Sequence, residues 1–276
     1  MIDAPRIDGV ERLRQRVKWI LFRVLAGGDA GRYVDLRRRA MRILGALGLY
    51  ERDHIGFLQQ VVRPGDLVVD VGAHFGVYTV ALSALVGARG KVHAFEPQSL
   101  VHGALKDTAL PHANTEFHRV ALSNRAGTQT LRIPFVLGDV PEPALATLER
   151  IAPPFLVDTM TTRTLDSYEG LLHGLRFVKV DVEGHELAFL DGAREVLLRE
   201  RPLVQLEDNS GGGRLAQYLA EGRLPGYTLA TLADGRLRRF PAAAKGRINF
   251  YLVPAPAGEP DDADPQCVRP AGRPST

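Results

Sequence analysis

The chain has 276 residues, 45% of them hydrophobic and 24% charged, with a formal net charge of +3. That length holds one large domain or two small ones, and the composition excludes a chain that is mostly disordered, collagen-like or coiled coil. One cysteine, Cys267, excludes an intrachain disulfide and a multi-cysteine metal site. So small a net charge gives no argument for nucleic acid.

No apolar run follows a basic stretch in Met1–Val10, so no secretory leader is read there. The greasiest early stretch, Val17–Leu25, is broken by Lys18 and Arg23 and falls short of the roughly 20 residues of a membrane span. A cytoplasmic location is expected. Residues 1–50 hold 11 Lys and Arg against 5 Asp and Glu. Basic residues beside Trp19, Ile20, Leu21 and Phe22 suit an amphipathic helix. Such a helix either packs on its own domain, the favoured reading, or rests peripherally on an anionic membrane.

Residues 1–60 read as helical, broken near Ala26–Gly31, and Arg63-Pro64-Gly65-Asp66 is a turn. Strands follow at Leu67–Val71, Lys91–Phe95, Thr115–Val120, Leu175–Val180 and Leu203–Leu206. Helices fall between them at Val77–Val86, Ser99–Ala109 and Glu186–Arg199, with a short one near Leu215–Ala220. Tyr227–Leu232 and Ile248–Val253 read as a closing hairpin pair. Strands alternating with helices imply βαβ units and a mostly parallel sheet. Residues 134–160, with five prolines, fit this alternation poorly and read as an insertion at the rim of a site or a plain surface connection. The expected division is a basic helical extension over 1–54, a main domain over 55–253 and a disordered, Pro-rich tail over 254–276.

Val69-Asp70-Val71-Gly72-Ala73-His74-Phe75-Gly76 lies where a strand turns into a helix. Glycines there permit a sharp turn and close approach of a ligand, and the helix start offers N–H groups to a polar or anionic group. Glu96 follows Gly76 by twenty residues, just past the second strand. An acid at that place accepts hydrogen bonds from both ribose hydroxyls, so a Rossmann-type adenosine site is expected. A dinucleotide fingerprint wants a second glycine where His74 stands, and its side chain obstructs a pyrophosphate. S-adenosylmethionine has no phosphate to accommodate. Gly72, Ala73, His74 and Gly76 then grip its methionine end and Glu96 its ribose.

A second motif, Lys179-Val180-Asp181-Val182-Glu183-Gly184-His185-Glu186, puts three acids and a histidine at the end of a strand, the edge where open α/β sheets bind ligands. With Asp70 through Thr79, Phe95-Glu96-Pro97, Val120-Ala121-Leu122-Ser123-Asn124, Gly192-Ala193 and Pro202 through Glu207, it resembles the FkbM family of S-adenosylmethionine-dependent methyltransferases. The resemblance covers about residues 55–210. It implies a Rossmann-like, seven-strand class I methyltransferase sheet with helices on both faces, here preceded by N-terminal helices. It implies a cofactor site that includes Asp70, Tyr78 on the methionine side, Pro97, and Ser123 near the adenine. The acceptors it implies are hydroxyls of sugars, glycolipids or polyketides.

Methyl transfer needs an aligned oxygen and an acceptor for its proton. Asp181 is expected to contact the reacting region, and His185 is the candidate base. Glu183 either joins them or caps the helix beginning near Glu186. Asp181, Asp208 and Asn209 resemble the metal-binding Asp … Asp-Asn arrangement of catechol-type O-methyltransferases, and oxygen ligands suit magnesium. Two alternatives stand: an RNA methyltransferase, supported only by the basic first 50 residues, and a non-catalytic protein on a methyltransferase fold.

Overall fold

The computed structural model describes residues 24–46, 51–99, 101–103, 105, 113–136, 140–208, 210–240 and 249–255. The amphipathic stretch around Trp19, most of the helix read from Ser99, and the tail beyond residue 255 lie outside these. No described helix is long and apolar enough to cross a membrane.

In chain order, α1 (Ala30–Ala46) and α2 (Arg52–Val61) precede β1 (Leu67–Val71), α3 (Val77–Val86), β2 (Lys91–Phe95) and β3 (Thr115–His118). Next come β4 (Ala121–Leu122), β5 (Gly127–Val136), β6 (Val140–Pro141) and β7 (Phe155–Arg163). Then β8 (Leu175–Val180), α4 (Glu186–Gly192), α5 (Arg194–Glu200), β9 (Leu203–Glu207), α6 (Gly213–Ala220), β10 (Tyr227–Ala233), β11 (Arg236–Arg239) and β12 (Asn249–Pro254) complete it.

The main sheet has eight strands in the order β11-β10-β12-β9-β8-β1-β2-β3. β3, β2, β1, β8 and β9 run parallel, while β12 is antiparallel to both β9 and β10. The expected seven strands are therefore present, and β11 adds an eighth at the edge by turning back on β10. The closing pair is β10 with β12, but the true hairpin is β10 with β11. The short Arg236–Arg239 strand carries one buried apolar residue among arginines, too little alternation to announce itself.

Parallel strands are covered on both faces, which explains their near-continuous apolar runs. Val68, Val92 and Phe177 pack with Phe57 and Leu58 of α2 and Tyr78 and Leu82 of α3. Val69, Val71, Val178 and Val180 pack on the other face with Phe189 of α4, Val196 of α5 and Leu215 of α6. The helix expected over Glu186–Arg199 is broken at Ala193. A side chain on Gly192 would lie 1.9 Å from the Ser123 carbonyl, so the glycine that weakens the helix is the one that lets it dock there.

Residues 127–163 are not a plain loop. β5 pairs antiparallel with β7 over eight residues, and β4 and β6 flank them in a second, four-stranded sheet, order β4-β7-β5-β6. Its core is Ala121, Leu131, Ile133, Ala146 and Met160. The prolines hid this sheet: Pro134 lies inside β5, two residues short of its end, Pro141 closes β6, and Pro143 opens a single 3-10 turn.

Just past the carboxyl ends of the parallel neighbours β1 and β8, Gly72 (φ +75°) has a further constraint. A Cβ there would meet the Asp181 carbonyl oxygen at 1.8 Å. Gly72→Ala is expected to cost at least about 3 kcal/mol from this backbone clash and the left-handed strain together. Chemical denaturation measures it, and a loss below 1 kcal/mol (about fivefold in the folding equilibrium) contradicts the packing.

Candidate active site

A cleft of about 1140 Å³, part of it open to solvent, lies at the carboxyl ends of β1, β2, β8 and β9. This is the point where the chain switches from building one half of the sheet to the other, the usual ligand site of open α/β sheets. The small sheet roofs it through Leu131, Pro143, Ala144, Ala146 and Leu148, and α1 contributes Met41. Arg37 of α1 also pairs with Glu142 of the roof, and Tyr78 donates to the carboxylate of Glu51, which precedes α2.

At one end, Glu96 follows β2 and is buried. Its Oε2 accepts from the His74 N–H at 2.9 Å and its Oε1 from the Gln98 N–H at 2.8 Å. Burial pushes its carboxyl up to about 7. Each oxygen still has a lone pair for a further donor, which fits a pair of ribose hydroxyls. Phe95, Pro97, Val120, Ala121 and Leu122 supply an apolar wall beside it.

The glycine turn spends its own N–H groups within the fold. Gly72, Ala73 and His74 line the cleft, but the N–H groups of Gly72 and Ala73 both bond the Phe95 carbonyl, at 2.9 and 3.0 Å, and that of His74 bonds Glu96. Gly76 (φ +82°) is the N-cap of α3; its N–H bonds Ala73, and it is not among the lining residues. Donors for an anionic group therefore fall to the first turn of α3, Val77–Thr79, whose N–H groups have no intrahelical acceptor. His74 sits at φ +47°, and burial with the nearby Arg37 cation drives its ring down to about 3 and hence neutral. Asp70 lines the cleft and accepts from the Thr79 hydroxyl at 2.6 Å; burial raises its carboxyl to about 6. The Tyr78 hydroxyl is occupied, donating to Glu51 and accepting from Gln205 at 2.9 Å.

At the other end, Asp181, Glu183 and Glu207 bring carboxylate oxygens within 4.8 Å of one another. Burial and the charges of Asp181 and Glu207 push Glu183 up to about 8; burial and Asp181 push Glu207 up to about 7. Glu183 sits at φ +47° with its backbone carbonyl held by the Thr147 hydroxyl at 2.7 Å. It does not cap α4. His185 is the N-cap, and the Glu186 carboxylate itself accepts from the Gly184 N–H at 2.9 Å.

Sequence reasoning assigned no role to Lys179, which lies under this cluster. It is 1% exposed, its Nζ is 3.6 Å from Asp181 Oδ2 and 5.1 Å from the centre of the Tyr78 ring, and it has no hydrogen-bond partner among the described residues. Burial alone would lower its pKa; the carboxylates of Asp181, Glu207, Glu51 and Asp70 outweigh burial and keep it an ammonium. The signal was a lysine between Val178 and Val180 in the buried half of a strand, where an unneeded charge is costly. Cross-strand register continues it into a polar row, Asp70 beside Lys179 beside Gln205.

Two expected site residues stand elsewhere. Ser123 is buried outside the cleft lining, its hydroxyl 2.9 Å from His185 Nε2, while His185 Nδ1 is 2.7 Å from Glu149 Oε1. His185 itself lines the cleft, its ring oriented between the Ser123 hydroxyl and the Glu149 carboxylate. Asp208 is likewise outside the lining, with its carboxylate accepting from the N–H and hydroxyl of Ser210, both at 2.8 Å. Asn209 lies outside the described residues. The oxygen cluster beside Asp181 is Glu183 and Glu207 instead.

Seven strands in the order β3-β2-β1-β8-β9-β12-β10, with the penultimate neighbour antiparallel, define the class I methyltransferase fold. Residues 70–223 match the methyltransferase FkbM domain, and the chain belongs to that family. No curated protein matches it. Solved structures similar to it include an FkbM methyltransferase from Methylobacillus flagellatus (16% identity, TM-score 0.46, covering 88% of this chain). This chain spans 60% of the length of that protein. A putative rRNA-methylase from Clostridium thermocellum (12%, TM-score 0.44) is matched over 74% of this chain and 95% of its own. Fibrillarin from Aeropyrum pernix (16%, TM-score 0.39), solved with S-adenosyl-L-methionine natively bound, is matched over 72% and 73%.

Proposed function

We propose that this protein is an S-adenosylmethionine-dependent O-methyltransferase acting on a hydroxyl of a sugar, glycolipid or polyketide. One juxtaposition carries the reading: a single cleft has a buried ribose-type acid, Glu96, at one end and a lysine among three carboxylates at the other. The family supports the methyl-transfer part of it.

S-adenosylmethionine, when bound, supplies an electrophilic methyl on sulfonium sulfur. The residues do the rest. Glu96 holds the ribose through its free lone pairs, and the apolar wall takes the base. Lys179 Nζ donates to the acceptor oxygen and orients it. The carboxylate cluster of Asp181, Glu183 and Glu207 would take the proton that the acceptor hydroxyl gives up on methylation. Because the carboxylates interact, the proton acceptor titrates as a cluster rather than as one residue.

A base must be deprotonated to act, so turnover is expected to rise with pH through about 7 to 8, the range of Glu207 and Glu183, and then to level. A rate flat from pH 6 to 9 contradicts the assignment, a range set around those values. Lys179 already provides a cation beside Asp181, so turnover is expected to survive EDTA; loss in EDTA restored by magnesium would transfer that role to the metal.

Phosphate-rich acceptors meet like charge at Asp181, Glu183 and Glu207, which favours uncharged hydroxyl acceptors over RNA. The test is methyl transfer from labelled S-adenosylmethionine to a panel of glycans, glycolipids and polyketides, with RNA as a parallel arm. Transfer to a hydroxylated small molecule supports the reading; transfer to RNA alone overturns it.

A further inference from the structure

A second cluster of ligating side chains lies at the far edge of the main sheet, on the two strands beyond β1. β2 and β3 run parallel with His93 opposite Glu116 and Phe95 opposite His118. His93, Glu116 and His118 therefore project from one face of two neighbouring strands. His93 Nδ1 and His118 Nε2 are 3.0 Å apart. Glu116 Oε1 is 3.7 Å from His118 Nε2, and its Oε2 is 3.9 Å from His93 Nδ1. In a tetrahedral zinc site with bonds of about 2.0–2.1 Å, donor atoms lie about 3.3–3.4 Å from one another. Small rotations of three side chains, a few tenths of an ångström at each donor, convert the one geometry into the other.

We propose that His93, His118 and Glu116 form a zinc site that clips the edge strand β3 to β2. Two imidazoles and one carboxylate are a borderline-soft donor set that suits zinc and disfavours magnesium or calcium. Burial lowers both imidazoles into their neutral, ligating form, His93 to about 4. The rings are already oriented: Phe95 stacks on His118 with centroids 4.4 Å apart, and Tyr168 meets the same ring edge-on at 5.4 Å. His93 is buried while Glu116 is half-exposed, so the ion enters from the carboxylate side and water completes its shell.

Lys91 sets the competition. Its Nζ is 3.1 Å from Glu116 Oε2 and acts as the counter-ion there, leaving Oε1 toward His118. Lys91 is half-exposed and can swing into water when a divalent cation arrives. The clip closes an edge that has β2 as its one strand neighbour in the sheet. It also grips His118, whose carbonyl accepts from the Glu96 N–H at 3.0 Å. That last consequence rests on the cofactor reading above; the metal site does not.

The test uses the full chain without an affinity tag, stripped with EDTA, dialysed, and titrated with zinc chloride by calorimetry and by thermal melting. One zinc per chain and a rise in Tm are expected. A His93→Gln/His118→Gln double variant should lose both. Glu116→Gln, on the exposed side, should weaken zinc by at least about tenfold, and Lys91→Gln should tighten it by removing the competing cation. No uptake by the native chain, or equal uptake by the double variant, overturns the proposal. If the double variant does not fold, unchanged affinity in both Glu116→Gln and Lys91→Gln overturns it equally. None of these outcomes depends on methyl transfer, so failure here leaves the active-site reading untouched.

Discussion

A Lys179→Met variant is expected to lose about a thousandfold in turnover while its affinity for S-adenosylmethionine changes by less than about threefold. The asymmetry follows from position. Lys179 Nζ lies among Asp181, Glu207, Glu51 and Asp70, at the end of the cleft away from the Glu96 carboxylate. Its Nζ has no hydrogen-bond partner among the described residues, and in the proposed mechanism it donates to the acceptor oxygen, a bond that strengthens as charge develops there. Methionine keeps the length and the apolar stem and removes only the charge and the donor. The carboxylates lose their counter-ion at the same time and hold their protons to higher pH, so the pH profile of the variant should shift upward as well. A structural role alone would lower Tm and leave that profile in place. A variant with native turnover contradicts the mechanism.

Glu96→Ala acts at the opposite end. Cofactor affinity is expected to fall about a hundredfold, roughly 2.7 kcal/mol, the size of two hydrogen bonds to a buried acid after their exchange with water. Turnover at saturating cofactor should stay within about tenfold of native, because Glu96 touches no reacting atom. Removing the carboxylate also orphans the His74 and Gln98 N–H groups, so the turn loosens. Glu96→Gln retains one acceptor oxygen and should lose about tenfold. Unchanged affinity in both variants would remove the nucleoside assignment. The pair of substitutions therefore separates the two ends of the cleft: one moves binding and the other moves turnover.

The parallel strands β1, β2 and β8 were legible because each is a short, mostly buried run that leads directly into a chemical motif. β1, β2 and β8 begin and end where the sequence pattern puts them, as does α3. The small sheet was not legible. β7 alternates only weakly, with most of its positions exposed, and prolines mark the ends of its partners. Its contribution to the cleft roof follows from long-range pairing of β5 with β7, which local spacing does not encode.

The same division holds in the site. Glu96 announces itself by its distance from the glycine turn, and it stands in the cleft where that spacing predicts. Ser123 was drawn into the site by adjacency to a motif, but the fold buries it outside the lining against His185, which does line the cleft and also meets Glu149. Asp208 carried an acid-turn signal that the fold uses to hold Ser210. Lys179 and Glu207 were overlooked because their meaning is cross-strand. Neither shows its role until β8 and β9 lie side by side and Asp181 follows the first of them.

One measurement tests the central claim most directly: calorimetric titration of the purified chain with S-adenosylmethionine and, in parallel, with NAD. Micromolar binding of S-adenosylmethionine, lost in Glu96→Ala, with no binding of NAD, is the predicted result. Binding of NAD in its place, or of neither, contradicts the account of the cleft as a methyl-donor site.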